Sequence, residues 1–393
     1  MANDIKPTII LVSLDGFHPS YLQRLKDGNI NMIAAEGVQA QWMTPVFPSK
    51  TFPCHYTLVT GLYSEHHGII HNSMYDTLYK STFSLGKRTE VQSSHWWQGE
   101  PIWITAEKAG IKTAPLFFPG SEAEISGTRP AFWKAYDGNM TNSAEVDTIL
   151  AWLDLPPQQR PQFCTLYFSD LDDAGHNGSP HSAAVDSAIK KVDRDIGRLV
   201  SGLTKRQLYN SINLIIVSDH GMACVDPGHI IILDDYFDEQ NAEVIIWDQQ
   251  LTGIFPIAGK EDELYLQLKN SNPARISIWQ KKDIPERFHY RENRRIPPIV
   301  CLADEGWIIM KRSAYEKKQR EGSLSLHATG AHGYDNQLES MQAIFLARGP
   351  AFKQGLSVGP FQSIQLYNLM ARILDITPAA NDGNMDFANQ ILR

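Results

Sequence analysis

Hydrophobic positions along this chain follow two periodicities, and the alternation between them predicts the architecture. Thr8-Ile-Ile-Leu-Val-Ser-Leu14, Phe163-Cys-Thr-Leu-Tyr-Phe168 and Ile212 to Val217 are near-continuous apolar runs rich in β-branched and aromatic residues. Such runs are strands buried on both faces of a parallel sheet. Between the second and third, apolar residues recur at Val185, Ile189, Val192, Ile196, Leu199, Val200 and Leu203. That spacing lines one helix face, so an amphipathic helix crosses over the sheet there. A fourth apolar run, Ala343-Ile-Phe-Leu-Ala347, and a closing C-terminal helix over 364–374 complete the pattern. Strands alternating with helices predict an α/β fold with a central, mostly parallel sheet flanked by helices.

Two stretches depart from this rhythm. Residues 75–136 are dense in aromatics and turn residues, including His95-Trp-Trp97, Trp103, Phe117-Phe118-Pro119-Gly120 and Trp133. They are read as an insertion framing a pocket mouth. Residues 234–325 shift toward charge, with Lys281-Lys-Asp-Ile-Pro-Glu-Arg-Phe-His289 and Lys317-Lys-Gln-Arg320, and are read as a second, smaller insertion or cap. The 393 residues then form a single catalytic domain with inserted segments.

Composition narrows the partners. A formal net charge of -8 offers no basic field for a nucleic-acid backbone, so binding of a polymer is not expected, whereas local cations can still hold a small phosphorylated ligand. Cys54, Cys164, Cys224 and Cys301 are widely spaced with no Cys-x-x-Cys pair, which supports neither a zinc knuckle nor a redox motif. No apolar run is long enough to span a bilayer, so no transmembrane segment is expected. Met1 to Pro7 lacks the basic and apolar regions of a signal peptide, which leaves a cytoplasmic protein or one whose export signal is absent from this chain.

Candidate chemistry gathers at the strand ends. The first strand runs into Asp15-Gly16. The second runs into Ser169-Asp-Leu-Asp-Asp-Ala-Gly-His176, where Asp172 and His176 lie four apart and can face one ion. The third runs into Ser218-Asp-His220, and His332 precedes the fourth apolar run. Thr51 stands before Pro53 to Thr60, a segment suited to a helix ending at Gly61, whose first N–H groups would face an anion. Asn72 carries a carboxamide able to donate to a phosphoryl oxygen. Taken singly, each has an ordinary reading: Asp15 and Asn72 as turn residues, Thr51 as an N-cap. Together they are harder to set aside. Three strand ends each deliver a carboxylate, two with a histidine nearby, whereas loop aspartates and core histidines scatter without regard to strand ends.

In this order, Leu14-Asp-Gly16, Lys50-Thr-Phe-Pro53, Thr60-Gly-Leu-Tyr63, Asp172-x-x-x-His176, Ser218-Asp-His-Gly221 and His332-Gly-Tyr-Asp-Asn336 resemble the nucleotide pyrophosphatase/phosphodiesterase family, a branch of the alkaline phosphatase superfamily. The resemblance implies an alkaline-phosphatase-like fold and two zinc ions. Asp172, His176 and His332 match the ligands of one zinc, and Asp15, Thr51, Asp219 and His220 those of the other. It further implies that Thr51 attacks phosphorus and forms a phospho-threonine, released by a water activated at the other metal, while Asn72 and the Thr51 N–H bind the non-bridging oxygen. Carried over by position, the nucleoside slot places a base between Phe52 and Tyr136, with Lys50, Leu85, Phe118 and Tyr167 lining it. Cys54 stands where the family pattern commonly has Asn. Its neighbours do not complete the Cys-x-Pro-x-Arg signature of a sulfatase, so Cys54 is read as a packing residue.

The implied activity is hydrolysis of nucleotide pyrophosphate and phosphodiester bonds, for example a nucleoside triphosphate to the monophosphate and pyrophosphate. Related enzymes with the same metal centre act on choline-bearing lipids, which is the alternative among enzymes. Outside enzymes the alternative is a phosphate-binding pseudoenzyme, opposed by the intact nucleophile and ligand set. Zinc centres of this family commonly work outside the cytoplasm, which implies a periplasmic or extracellular location.

Overall fold

The computed structural model describes residues 6–393; Met1 to Ile5, part of the stretch read for signal-peptide character, lie outside the described residues. Seven strands make the main sheet: β1 (Ile9–Leu14), β2 (Val38–Ala40), β3 (Thr113–Pro115), β4 (Phe163–Phe168), β5 (Asn213–Val217), β6 (Phe345–Arg348) and β7 (Leu356–Val358). Their order is β7-β2-β6-β5-β1-β4-β3. All neighbours are parallel except β6, which runs antiparallel to both β5 and β2.

The central strand shows why its sequence is apolar throughout. Ile9 and Leu11 enter the core on one face, and Ile10, Val12 and Leu14 the core on the other. Successive side chains on a strand point to opposite faces, so a sheet covered on both sides asks for apolar residues at both parities. Helices supply the cover. Among them are α1 (Thr51–Thr60), α2 (Asp170–Asn177), α3 (Ala183–Lys205) and α4 (Leu366–Leu374). Helix α3 buries Val185, Ile189, Val192, Ile196, Leu199 and Leu203 in the expected stripe, each worth about 1.5–3 kcal/mol when fully buried. Helix α1 ends at Gly61, whose φ of 66° suits glycine.

Three expectations are corrected. The N-cap of α1 is Lys50, with extended backbone, and Thr51 is the first helical residue rather than the cap. Helix α4 does not close the chain: a helix at Asp386–Ile391 follows and buries Phe387, Ala388 and Ile391, too short for its periodicity to show. Residues 75–136 are not wholly an insertion, because they include β3, the edge strand of the main sheet. An aromatic-rich context hid a strand of only three residues.

Residues 234–325 contain a four-stranded antiparallel sheet, ordered Ala242–Ile246, Leu251–Pro256, Ile299–Ala303, Ile276–Gln280, with helix Glu261–Ser271 packed on it. Ile254, Leu264, Leu268, Ile278 and Ile299 form its own apolar centre. No described helix is long and apolar enough to cross a membrane. All four cysteines are free thiols; Cys54 is buried, its Sγ directed at the carbonyls of Val46 and Pro48.

Candidate active site

Parallel strands deliver their carboxyl ends to one edge. Leu14 pairs with Phe168 and Ser13 with Val217, so the residues that follow β1, β4 and β5 emerge side by side. Asp15 comes directly off β1 and Asp219-His220 directly off β5. Asp172 and His176 project from one face of α2, four residues apart. His332 follows the short strand Thr329–Ala331.

These six side chains form two adjoining groups. In the first, Asp172 Oδ1 lies 3.3 Å from His176 Nε2 and 3.5 Å from His332 Nε2, and the two Nε2 atoms are 3.2 Å apart. In the second, His220 Nε2 lies 2.9 Å from Asp219 Oδ2 and 3.5 Å from Asp15 Oδ1. The groups touch where the His220 and His332 rings stack, centroids 3.6 Å apart. Backbone carbonyls orient all three histidines: His176 Nδ1 faces Gly330 O at 3.1 Å, His332 Nδ1 faces Ser49 O at 2.8 Å, and His220 Nδ1 faces Gly221 O at 2.9 Å. A carbonyl can only accept, so Nδ1 carries the hydrogen and the Nε2 lone pair is left for the centre of each group.

Charge is badly balanced without a cation. Burial, then the neighbouring Asp219 and Asp172 carboxylates, push the Asp15 carboxyl well above its ordinary range. Burial works upward on Asp219 too, but His220 and His55 outweigh it and hold this carboxyl low. Burial, then His220, pushes His332 well below the ordinary histidine range. Asp15 Oδ1, Asp172 Oδ1, Asp219 Oδ2 and His220 Nε2 are all buried without a hydrogen-bond partner. Such atoms cost about 1–3 kcal/mol each when left unpaired. Converging imidazole nitrogens and carboxylate oxygens are the donor set that divalent zinc accepts, and the residues present fit such ions.

Thr51 opens α1 over a cavity of about 380 Å³ that Asp15, Asp172, His176 and His332 also line. Asn72 Oδ1 accepts from the Phe52 N–H at 2.9 Å, which fixes the amide orientation and leaves its NH2 free to donate. Phe52, Leu85, Phe118, Tyr136 and Tyr167 all line the same cavity. Phe52 packs on Phe83 and Trp97, while Tyr136 packs edge-on against Phe117 with the Arg88 guanidinium 5.6 Å from its ring centre. Arg88 is paired with Glu122.

Lys50 is the exception among the expected lining residues. Its Nζ turns away and binds Asp248 at 2.9 Å and Gln250 at 2.7 Å, because a buried ammonium needs an acceptor and the segment 234–325 supplies two. Two further features were not visible in the sequence. His55, buried, directs Nδ1 at Thr51 O (2.8 Å) and Asp219 Oδ2 (3.3 Å) and Nε2 at Ser13 Oγ (2.8 Å). Tyr167 donates its hydroxyl to Asp15 Oδ2 at 2.6 Å. The Thr51-x-x-x-His55 spacing was legible, but it describes any histidine one turn along a buried helix.

Comparison with known proteins agrees with this geometry. The family described as "Type I phosphodiesterase / nucleotide pyrophosphatase" matches residues 9–335. Ectonucleotide pyrophosphatase/phosphodiesterase family member 3 of Bos taurus is 39% identical over 396 residues, covering 98% of this chain and 44% of that protein. Venom phosphodiesterase of Naja atra is 37% identical over 393 residues, covering 98% and 46%. The chain thus spans less than half the length of these curated relatives. Human ectonucleotide pyrophosphatase / phosphodiesterase 5 superposes with a TM-score of 0.91 at 35% identity, covering 98% of this chain and 99% of that one. The murine protein of that name, an inactive threonine-to-alanine variant in complex with AMP, gives 0.91 at 34%, covering 98% and 100%. With its sheet order, its strand-end Asp and His residues and these matches over nearly its whole length, the chain belongs to the type I phosphodiesterase / nucleotide pyrophosphatase family.

Proposed function

We propose that this protein hydrolyses nucleotide pyrophosphate and phosphodiester bonds at a two-zinc centre, with Thr51 as nucleophile. The observation that carries the reading is Thr51 on the first turn of α1, facing a cavity shared with two groups of inward-aimed Asp and His atoms, four of them buried without a hydrogen-bond partner. Asp172, His176 and His332 would hold one zinc, and Asp15, Thr51, Asp219 and His220 the other. Bound there, the ions supply Lewis acidity to the attacking and leaving oxygens.

The chain's own groups do the rest. Thr51 Oγ1 forms a bond to phosphorus as the leaving oxygen departs, and hydrolysis of that phospho-threonine restores the hydroxyl. The Asn72 NH2 and the Thr51 N–H at the start of α1 donate to a non-bridging oxygen. Phe52 and Tyr136 flank a base, and Leu85, Phe118 and Tyr167 complete the wall. Leu85 and Tyr136 are large side chains 40% and 41% exposed at the mouth, an exposure that a stacked ligand would relieve. In this arrangement the segment 75–136 shapes the mouth and 234–325 caps the molecule beside it.

A diester is favoured over a monoester. The extra charge of a monoester calls for a cation beside the nucleophile, yet Lys50 is bound to Asp248 and Arg88 to Glu122. The complex of the murine relative with AMP supports a retained nucleoside monophosphate. The relatives' names, ectonucleotide and venom enzymes, support work outside the cytoplasm. With ATP as substrate, chromatography should show AMP and pyrophosphate as first products. ADP and orthophosphate would contradict the reading.

A further inference from the structure

One carboxylate of the 234–325 segment reaches behind the active site. Asp248 is itself firmly held: its Oδ1 accepts from the N–H groups of Gln250 (2.9 Å) and Leu251 (3.0 Å), and its carbonyl accepts from Thr252 Oγ1 at 2.8 Å. From this seat its two oxygens lie 2.9 and 3.0 Å from Lys50 Nζ. The same carboxylate faces His71. His71 Nδ1 accepts from the Ser73 N–H at 3.1 Å, so Nε2 carries the hydrogen, and it points at Asp248 Oδ1 from 3.6 Å.

Lys50 immediately precedes Thr51, and His71 immediately precedes Asn72. On the cavity side the two stretches are joined by the Phe52 N–H to Asn72 Oδ1 bond. On the far side Lys50 is bound to Asp248, and the His71 Nε2–H faces the same carboxylate without a hydrogen bond, in a charge–dipole contact longer than the Lys50 bond. The Lys50 stem also crosses Gly333, beside His332: a Cβ at that glycine, whose φ is +107°, would lie 2.3 Å from Lys50 Cε. The segment before α1 is therefore fixed against both the 234–325 segment and the loop carrying His332.

We propose that Asp248 is a positioning residue: through Lys50 and His71 it sets Thr51 and Asn72 relative to one another. The inference rests on the roles given to Thr51 and Asn72 under Proposed function. It assigns Lys50 to the scaffold rather than to substrate, in keeping with an ammonium that is buried, bound to two acceptors and absent from the cavity wall. The chemistry is sensitive to such placement, since an ångström of displacement between reacting groups costs on the order of 100-fold in rate.

The test uses Asp248→Asn, Lys50→Met and the double variant, in the zinc-loaded protein, with bis(p-nitrophenyl) phosphate and the p-nitrophenyl ester of thymidine 5'-phosphate. Asp248→Asn should lower kcat about 10- to 100-fold on both esters while KM stays within about twofold. In the Lys50→Met background the same substitution should add little, because its main route to Thr51 is already cut. Amide exchange, read in the metal-free protein as well, should quicken at least about 10-fold in peptides covering 47–54 and 70–74, with little change elsewhere. Unchanged kcat and unchanged exchange in Asp248→Asn would overturn the proposal, and so would a loss confined to KM for the nucleoside ester. If the wild-type protein cleaved neither ester, the nucleophile assignment would fall with it. The exchange comparison separates the two, because it reads the clamp without turnover.

Discussion

The molecule holds two buried charge clusters, one around Arg295 and Asp76 and one at the strand ends, and they are built to opposite rules. Around Arg295, fully buried, every charge is answered. Arg295 Nε binds Asp76 at 2.7 Å, its Nη1 binds the carbonyls of Gly68 and Trp96 at 2.7 Å, and its Nη2 binds His95 O at 2.9 Å. Arg294 adds two bonds to Asp76, at 3.0 and 2.8 Å, and the Leu78 N–H a third at 2.9 Å. At the strand ends the same kinds of residue leave four polar atoms unpaired and aimed at common points. A satisfied network can join segments far apart in the chain, here the hairpin at Ser73–Asp76 and the stretch after the 3-10 turn at Glu286–Phe288. An unsatisfied one is unfavourable until something binds it. Burial of charge alone therefore does not mark an active site; burial with unused lone pairs does.

The contrast is most sharply tested at Thr51. Thr51→Ala should reduce diester turnover by at least about 10³-fold while the melting temperature stays nearly level, since the change removes the proposed nucleophile and no core contact. Turnover within tenfold of wild type would break the assignment. Chelation is the next largest effect. Stripping metal should abolish activity and lower the thermal midpoint, because ions that bind only the folded state stabilise it by mass action. Elemental analysis should return about two zinc ions per chain, and zinc should restore both properties.

Arg295→Met addresses the other cluster. It leaves Asp76 buried with one guanidinium fewer and should destabilise the fold by about 3–5 kcal/mol in denaturant titration, with kcat per folded molecule little changed. A loss of kcat with stability intact would erase the distinction between the clusters. The same network predicts an acid limb. Burial works to raise the Asp76 carboxyl, but Arg294 and Arg295 outweigh it and hold it at about 2. A folded-state value below the unfolded one gives stability that is fully present above about pH 4 and is lost as pH falls through about 2. The loss is on the order of 2 kcal/mol and should shrink in Arg295→Met, where Arg294 and the Leu78 N–H still hold the carboxylate. The smallest effect belongs to Asp15→Asn in metal-free protein. Relieving one of three crowded carboxylates should leave stability level or about 1 kcal/mol higher while activity falls in the loaded enzyme. A clear loss of stability would mean that Asp15 is structural.

Much of the site was legible because its signals are local. An apolar run read as a buried strand places whatever follows it at the sheet edge, so Asp15, Asp172 with His176, and Asp219 with His220 were brought within reach of one another by strand direction alone. Helix α3 was equally plain, since its stripe needs only the 3.6-residue period. What the chain alone did not show was which distant partner each polar atom would choose. Lys50 looked like a pocket residue by position, yet it turns to Asp248, 198 residues away. His55 meets Ser13 across 42 residues, and Asp76 meets Arg295 across 219. The antiparallel course of β6 and the edge placement of β3 were likewise decided by pairing with strands remote in the chain. Periodicity is a property of neighbouring residues, and the sequence by itself determined everything that follows from it. Hydrogen-bond partners, unused lone pairs and side-chain direction depend on which segments the whole core packs together, and only the tertiary structure decided those.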